Sequence, residues 1–162
     1  MAAPLADVAE DLYLPLFQEH FPTLKKIKNP YALFDYVTED EQTYVELKAR
    51  TNSYATYPTT MVGNNKVEAA KYTPDKTYYF AFAFTDGVYW IKYDPDLFKT
   101  FRVKQGGRYD RGRTEVSMYC WIPIERLTKL TDRVARPTPS ASGPSQSPQS
   151  PNTIPAQTDM RP

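Results

Sequence analysis

Apolar side chains recur at steps of three and four residues near the start of the chain, at Leu5, Val8, Leu12 and Leu16. This spacing predicts an amphipathic helix over residues 5–17, because such steps place side chains on one helical face. Pro15 is expected to bend or shorten its last turn, since proline disturbs the helical hydrogen bonds. A basic connector, residues 24–30, follows the helix.

Two strand-like runs come next, residues 32–38 and 43–49, on either side of the polar turn Glu39-Asp40-Glu41-Gln42. This pattern predicts a β-hairpin. A second hairpin is expected from residues 77–84 and 88–93, because Asp-Gly between two apolar runs is a strong turn signal. The remaining predicted elements are a helix over residues 64–71, a Gly- and Arg-rich loop over 104–113, a strand over 116–122 and a short helix over 124–130. The pattern therefore indicates an α/β domain, with a mixed sheet flanked by helices.

Composition divides the chain near Arg136. The length of 162 residues suffices for one domain with a core, and the 13 Tyr, 8 Phe and 2 Trp favour strands. The end of the chain is rich in Pro, Ser, Gln and Thr and cannot bury enough apolar surface to offset its ordering entropy. We expect a folded domain over residues 1–132 and a disordered Pro/Ser-rich tail over 133–162, either a tether or an inert extension.

Charge, cysteine and histidine exclude several functional classes. The formal net charge is +1, so any basic surface must be local. A lone cysteine, Cys120, excludes an intrachain disulfide, and a lone histidine, His20, argues against a His-based metal site or a Ser-His-Asp triad. The chain carries no Lys or Arg before Lys25, and its most apolar run, residues 78–84, falls far short of the roughly 20 residues that cross a bilayer. We expect a soluble protein of a reducing, intracellular compartment.

The first hairpin carries the residues that are candidates for catalysis or metal binding. Symmetric closure of its turn places Asp35 directly opposite Glu46, with Cβ atoms roughly 5 Å apart on one face. Lys48 projects from the same face, because it lies two residues beyond Glu46. The opposite face is expected to be core and carries Val45, Leu47 and Ala49 against Phe34 and Tyr36.

Two opposed carboxylates repel each other and favour a cation between them. Hard oxygen ligands with open positions suit Mg²⁺ or Mn²⁺, which can polarise a phosphoryl oxygen and make a bound water more acidic. Lys48 could orient that water, act as a base or neutralise charge in the transition state. The alternative is a solvated strand face, on which Asp35, Glu46 and Lys48 form ordinary cross-strand ion pairs.

Two stretches of this hairpin, Phe34-Asp35 and Val45-Glu46-Leu47-Lys48, resemble the motif of the PD-(D/E)-x-K nuclease superfamily, which has the restriction-endonuclease-like fold. In that superfamily a helix precedes the hairpin and a further helix and strand follow it, as the pattern predicts here over residues 5 to 93. The proline of the motif is absent, because Leu33-Phe34 precedes Asp35. A looser resemblance to small uncharacterised proteins of large DNA viruses extends over residues 5 to 130 and includes Thr59-Thr60-Met61 and Thr85-Asp86-Gly87.

The superfamily resemblance implies a metal-dependent nuclease that acts on DNA. It also implies an additional acidic metal ligand on the first helix, for which Glu10 is the best candidate. Glu19 and Asp11 are the alternatives, and each of the three could instead be a surface acid. Enzymes of this fold often cut both strands as a homodimer.

Basic and polar residues near the hairpin are candidates for nucleic-acid contacts. Arg50 and Asn52 extend the Glu46 strand, and Lys66 on the second helix could lean over the site or be a solvated helix lysine. The Gly- and Arg-rich loop is the most concentrated positive patch, suited to phosphate contacts or else simply solvated; it contains Lys104, Arg108, Arg111 and Arg113.

Two rival functions stay open at this stage. One is a non-catalytic nucleic-acid-binding or virion-associated module that keeps the nuclease fold, and the other is a nuclease that cleaves RNA. The expected location is the host cytoplasm or nucleus, or the virion if the protein is viral.

Overall fold

A computed structural model describes residues 5–108 and 115–132 of the chain. Three α-helices occur in these residues: α1 Leu5–Gln18, α2 Asn64–Tyr72 and α3 Pro95–Phe98. The strands of the same residues are β1 Lys25–Lys26, β2 Tyr36–Val37, β3 Thr43–Ala49, β4 Thr59–Gly63, β5 Thr77–Phe84, β6 Gly87–Lys92, β7 Arg102–Arg108, β8 Glu115–Pro123 and β9 Thr128–Thr131. A 3₁₀ turn, Ile124–Arg126, separates the last two.

The strands form two sheets. A six-stranded sheet has the order β1-β2-β3-β5-β6-β9, and a three-stranded antiparallel sheet has the order β4-β8-β7. In the larger sheet β3 and β5 are parallel, because the chain crosses over between them through β4 and α2. Its other neighbours are antiparallel, so the predicted α/β architecture with a mixed sheet is confirmed.

The larger sheet is covered on both faces. Val45 and Leu47 of β3 pack with Phe17 of α1 on one face. On the other face, Phe80 of β5 packs in a cluster that includes Ile122 of the smaller sheet. Because successive strand residues point to opposite faces, Glu46 projects toward this second cluster.

Six predicted elements agree with the structure: the first helix, the second helix, the strand over residues 43–49 that is β3, both strands of the β5–β6 hairpin, and the strand that is now β8. Pro15 does not shorten α1, which continues to Gln18. Among residues 5–108 and 115–132, no helix combines the length and the apolar character needed to span a membrane.

Three predictions of secondary structure were wrong. The predicted strand over residues 32–38 is reduced to β2, because residues 33–35 bend away before the ladder begins. Residues 104–108 belong to strand β7 rather than to a loop, because β7 pairs with β8 along its whole length. Residues 124–130 form a 3₁₀ turn followed by β9 rather than a helix, because β9 adds to the edge of β6. The pattern also missed β1, β4 and α3. The rest of the predicted loop, residues 109–113, and the predicted tail, 133–162, lie outside the described residues.

Candidate active site

Asp35 lies where the first hairpin stops being a regular ladder. Tyr36 is paired with Val45, which is the predicted register, but the ladder ends at Tyr36, so Asp35 is not itself paired with Glu46. The backbone N–H of Asp35 donates to the carbonyl of Val45 over 3.1 Å. Its side-chain Oδ2 accepts from the backbone N–H of Leu47 over 2.7 Å. The half-buried Asp35 carboxylate is therefore fixed against β3 by the strand's own backbone.

The departure from the ladder reverses the predicted position of Phe34. We expected Phe34 on the same face as Val45 and Leu47, but its ring lies 5.7 Å from that of Tyr44 and 6.3 Å from that of Phe80. It therefore belongs to the cluster on the Glu46 side of the sheet. Ala49, also predicted as core, is exposed.

Glu46 is a buried carboxylate in the middle of β3, with only 2 % of its surface exposed. The Nζ of Lys48 lies 3.1 Å from its Oε2, and the Nζ of Lys66 lies 3.5 Å from its Oε1. The Oε1 atom itself is buried and has no hydrogen-bond partner among the described residues. The site thus holds a carboxylate oxygen with spare capacity to accept a ligand.

The electrostatic state of Glu46 follows from this burial. Removal from water and, to a smaller extent, the nearby Asp35 carboxylate raise the pKa of Glu46, which comes to about 7 once all its neighbours act on it. Lys48 and Lys66 act in the opposite direction. The two lysines therefore compensate only part of the cost of a buried negative charge.

Lys66 enters the site from helix α2. Besides its ion pair with Glu46, its ammonium donates to the backbone carbonyl of Leu33 and lies 6.0 Å from the centre of the Phe34 ring. The sequence suggested Lys66 as a possible neighbour of the site, and the structure brings it there. The reason is the β3–β5 crossover, which carries α2 close to the face of Glu46.

Glu10 does not complete a group of three acids with Asp35 and Glu46. Lys26 lies 3.7 Å from the Glu10 carboxylate and 3.2 Å from that of Asp11. Across residues 5–108 and 115–132, no three or more His, Cys, Asp or Glu side chains converge in a way that could hold a metal. Glu10 and Asp35 do line one cleft of about 600 Å³. Glu19 is exposed, just beyond the end of α1.

A second cleft, of about 660 Å³, lies next to Lys48 and Lys66 of the site. It is lined by three cationic side chains, together with the start of α2 and part of β8. The cationic residues are Lys48, Arg50 and Lys66, and Glu68 is the acidic residue in the same lining. A channel with this charge suits a polyanion.

Arg50 also has a structural role in this cleft. Its Nε lies 3.4 Å from the hydroxyl of Thr60, and its guanidinium donates to the carbonyl of Met61. The guanidinium carbon lies 5.7 Å from the centre of the Phe82 ring, and burial lowers the pKa of Arg50. Arg50 thereby ties the larger sheet to β4 of the smaller one.

The other predicted nucleic-acid contacts are more distant from the site or lie beyond the described part. The Nδ2 of Asn52 donates to the carbonyl of Ser53 over 2.9 Å, within its own loop. Arg108 is the last residue of β7. Arg111 and Arg113 lie outside the described residues.

Comparison with known families bears on the same part of the chain. A family model described as "Phage putative PDDEXK endonuclease" matches residues 20–130. The matched segment contains Asp35, Glu46, Lys48 and Lys66, and excludes most of α1, including Glu10. No curated protein matches the chain.

Proposed function

Because the chain belongs to the phage PD-(D/E)XK endonuclease family, we propose that it is a Mg²⁺-dependent nuclease that hydrolyses phosphodiester bonds of DNA. The observation that carries this proposal is the buried Glu46 carboxylate, placed beside Asp35 and between two lysines. A buried charge of this kind costs free energy, and a buried carboxylate with a raised pKa beside charged partners is typical of a functional site.

Asp35 and Glu46 are the residues that would hold Mg²⁺ or Mn²⁺. The Oε1 of Glu46, which accepts no hydrogen bond from the described residues, and the half-buried carboxylate of Asp35 supply hard oxygen atoms, and two carboxylates with water and phosphate oxygens make a suitable Mg²⁺ ligand set. When bound, the cation would polarise a phosphoryl oxygen and acidify a coordinated water. The Leu47 N–H keeps Asp35 in place before any ligand arrives.

Lys48 and Lys66 supply positive charge around the scissile phosphate. Lys48 is 37 % exposed and lines the cationic cleft, so its ammonium can reach a phosphate or the attacking water. Its ion pair with Glu46 favours a role as hydrogen-bond donor and charge stabiliser over a role as base. Lys66 and Arg50 extend this charge along the cleft, where they would contact the phosphates next to the cleaved bond.

Cleavage assays test the proposal directly. We expect the protein to cleave plasmid and single-stranded DNA with Mg²⁺ or Mn²⁺ and to be inactive in EDTA. Asp35→Ala, Glu46→Ala and Lys48→Ala should each lower the rate by at least a hundredfold. Lys92→Ala removes an exposed lysine of β6 and should leave the rate unchanged. Cleavage that survives Glu46→Ala or Lys48→Ala would contradict the proposal, and an RNA substrate in parallel decides between the two nucleic acids.

A non-catalytic nucleic-acid-binding module is the second candidate. The observation in its favour is that no third acid joins Asp35 and Glu46 within the described residues. Mn²⁺ titration of the wild-type protein, Asp35→Ala and Glu46→Ala separates the two functions. A nuclease requires Mn²⁺ affinity that both substitutions abolish, whereas a binding module shows none. Homodimer formation and a location in the host or the virion stay predictions.

A further inference from the structure

The smaller sheet presents a solvent-facing side made of aromatic and basic residues. Its other side is buried at Cys120 and Ile122 of β8 and exposed at Val103 and Met118. On the solvent-facing side, Arg102 is paired across the strands with Trp121, and Lys104 with Tyr119. Directly paired residues share one face of a sheet, so these four side chains form one surface. We name this surface, Arg102, Lys104, Tyr119 and Trp121, the outer face.

The outer face combines ring surfaces with unpaired positive charge. The Nζ of Lys104 lies 4.7 Å from the centre of the Trp121 ring. Arg102 and Lys104 are exposed, and no carboxylate of the described residues forms an ion pair with either of them. Tyr119 and Trp121 are half-buried, so part of each ring is accessible.

Gly106 of β7 provides the space for these rings. A Cβ atom at Gly106 would lie 3.0 Å from Cδ2 of Tyr119 and 3.7 Å from Cζ2 of Trp121. Any other residue would therefore push the Tyr119 ring away from β7. The glycine lets both aromatic side chains lie against the strand, with their remaining surface toward solvent.

The outer face continues the cationic cleft of the proposed active site. Tyr119 lines that cleft together with Lys48, Arg50 and Lys66. Arg50 and the phenol of Tyr119 lie close enough to interact electrostatically. Tyr119 is thus shared by the cleft and the outer face.

We infer that the outer face binds a single-stranded segment of the DNA substrate where it leaves the cleft. Accessible aromatic rings beside cations are suited to unpaired bases and their phosphates, whereas bases inside a duplex are already stacked on each other. The charges of Arg102 and Lys104, which no carboxylate in residues 5–108 and 115–132 neutralises, favour a polyanion over an apolar protein partner. This inference rests on the proposed nuclease function, because the DNA strand is taken to run from the cleft onto the outer face.

Equilibrium binding without metal tests the inference separately from cleavage. The full-length protein in EDTA is titrated with a labelled blunt duplex and with the same duplex carrying a single-stranded dT overhang. We expect tighter binding of the overhang substrate, and Arg102→Ala, Lys104→Ala and Trp121→Leu should each weaken it by about fivefold or more. Trp121→Phe should retain most of the affinity because it keeps a ring, and Lys92→Ala serves as the charge-matched control on the other sheet.

Trp121 fluorescence gives a second readout. Overhang DNA should quench the wild-type signal, and Trp121→Phe should remove most of this change, because the remaining Trp90 is buried. Equal affinity for blunt and overhang DNA in all variants would overturn the inference, as would concentration-dependent self-association that Trp121→Leu abolishes. If binding depends on the outer face but no cleavage occurs, the inference stands and the nuclease proposal fails. If cleavage occurs and the outer-face variants bind normally, the inference alone fails.

Discussion

The carboxylate of Asp35 accepts a hydrogen bond of 2.7 Å from the backbone N–H of Leu47. In a continued antiparallel ladder this N–H would pair with the carbonyl of Phe34, because Tyr36 is opposite Val45. Asp35 therefore replaces a backbone acceptor with its side chain. One group serves both the fold of the hairpin and the proposed metal site.

Substitutions at Asp35 should separate these two roles. Asp35→Asn keeps an amide oxygen that can accept from Leu47, so we expect near wild-type stability together with loss of Mn²⁺ affinity and cleavage. Asp35→Ala leaves the Leu47 N–H, in a buried part of β3, without its acceptor and should cost about 1–3 kcal/mol of unfolding free energy. Urea denaturation in EDTA measures the stability. Equal destabilisation by both substitutions would show that the hydrogen bond contributes little.

Glu46 should make the stability of the metal-free protein fall as pH rises. Its pKa is raised from 4.5 to about 7, so the folded protein holds this proton more tightly than the unfolded chain does. The resulting stability is fully present below pH 4.5 and is lost as pH rises through about 7. The loss is on the order of 3 kcal/mol.

Glu46→Gln provides the comparison, because it imitates the neutral carboxyl. Its unfolding free energy in EDTA should vary less between pH 5 and pH 8 than that of the wild type, and it should be the more stable protein at pH 8. Mn²⁺ should stabilise only the wild type at pH 8. If the unfolding free energies of the wild type and Glu46→Gln change with pH in parallel, the pKa of Glu46 is not raised in the folded protein.

The sequence identified the acidic pair because its signal is local. A four-residue turn and period-two alternation set the register, and Tyr36 opposite Val45 confirms that register. Neither signal reveals that Asp35 would leave the ladder, so Phe34 was assigned to the wrong face. The position of Phe34 depends on packing against Tyr78 and Phe80 of β5, which are distant in sequence.

The other differences between the predictions and the structure arise from contacts between residues that are far apart in the sequence. Lys66 reaches Glu46 only because the β3–β5 connection is a parallel crossover, which a local pattern does not encode. The glycines at 106 and 107 indicated a loop, yet β7 is held by its pairing with β8. Gly106 is there to accommodate the aromatic rings of the neighbouring strand rather than to make a turn.

Arg50 should be important for stability as well as for substrate. Arg50→Ala leaves the Met61 carbonyl and the Thr60 hydroxyl without their donor, at a cost of about 1–3 kcal/mol. Arg50→Lys should recover only part of this, because one ammonium cannot match the two directions of a guanidinium. Arg126→Ala, at an exposed arginine of the 3₁₀ turn, should change the unfolding free energy by less than about 0.5 kcal/mol. Thermal denaturation in EDTA measures these changes. Equal Tm values for Arg50→Ala and Arg126→Ala would exclude a structural role for Arg50.

Lys66 should set the pH at which the site accepts a metal. Its positive charge lowers the pKa of Glu46, so Lys66→Met should raise that pKa above its present value of about 7. A proton on Glu46 competes with the cation, and Mn²⁺ binding should therefore need a higher pH in this variant. Isothermal titration between pH 6 and pH 9 measures the shift. Lys66→Arg should keep the midpoint close to that of the wild type, since it keeps the charge.

Lys71 supplies the matched control for this shift. It lies in the last turn of the same helix, where its Nζ is 6.0 Å from the centre of the Tyr72 ring rather than beside Glu46. Lys71→Met should leave the pH midpoint of Mn²⁺ binding unchanged. If Lys66→Met and Lys71→Met move the midpoint equally, the effect is one of general charge, and Lys66 has no specific part in the state of Glu46. A midpoint that moves only with Lys66→Met ties metal binding to this one ion pair.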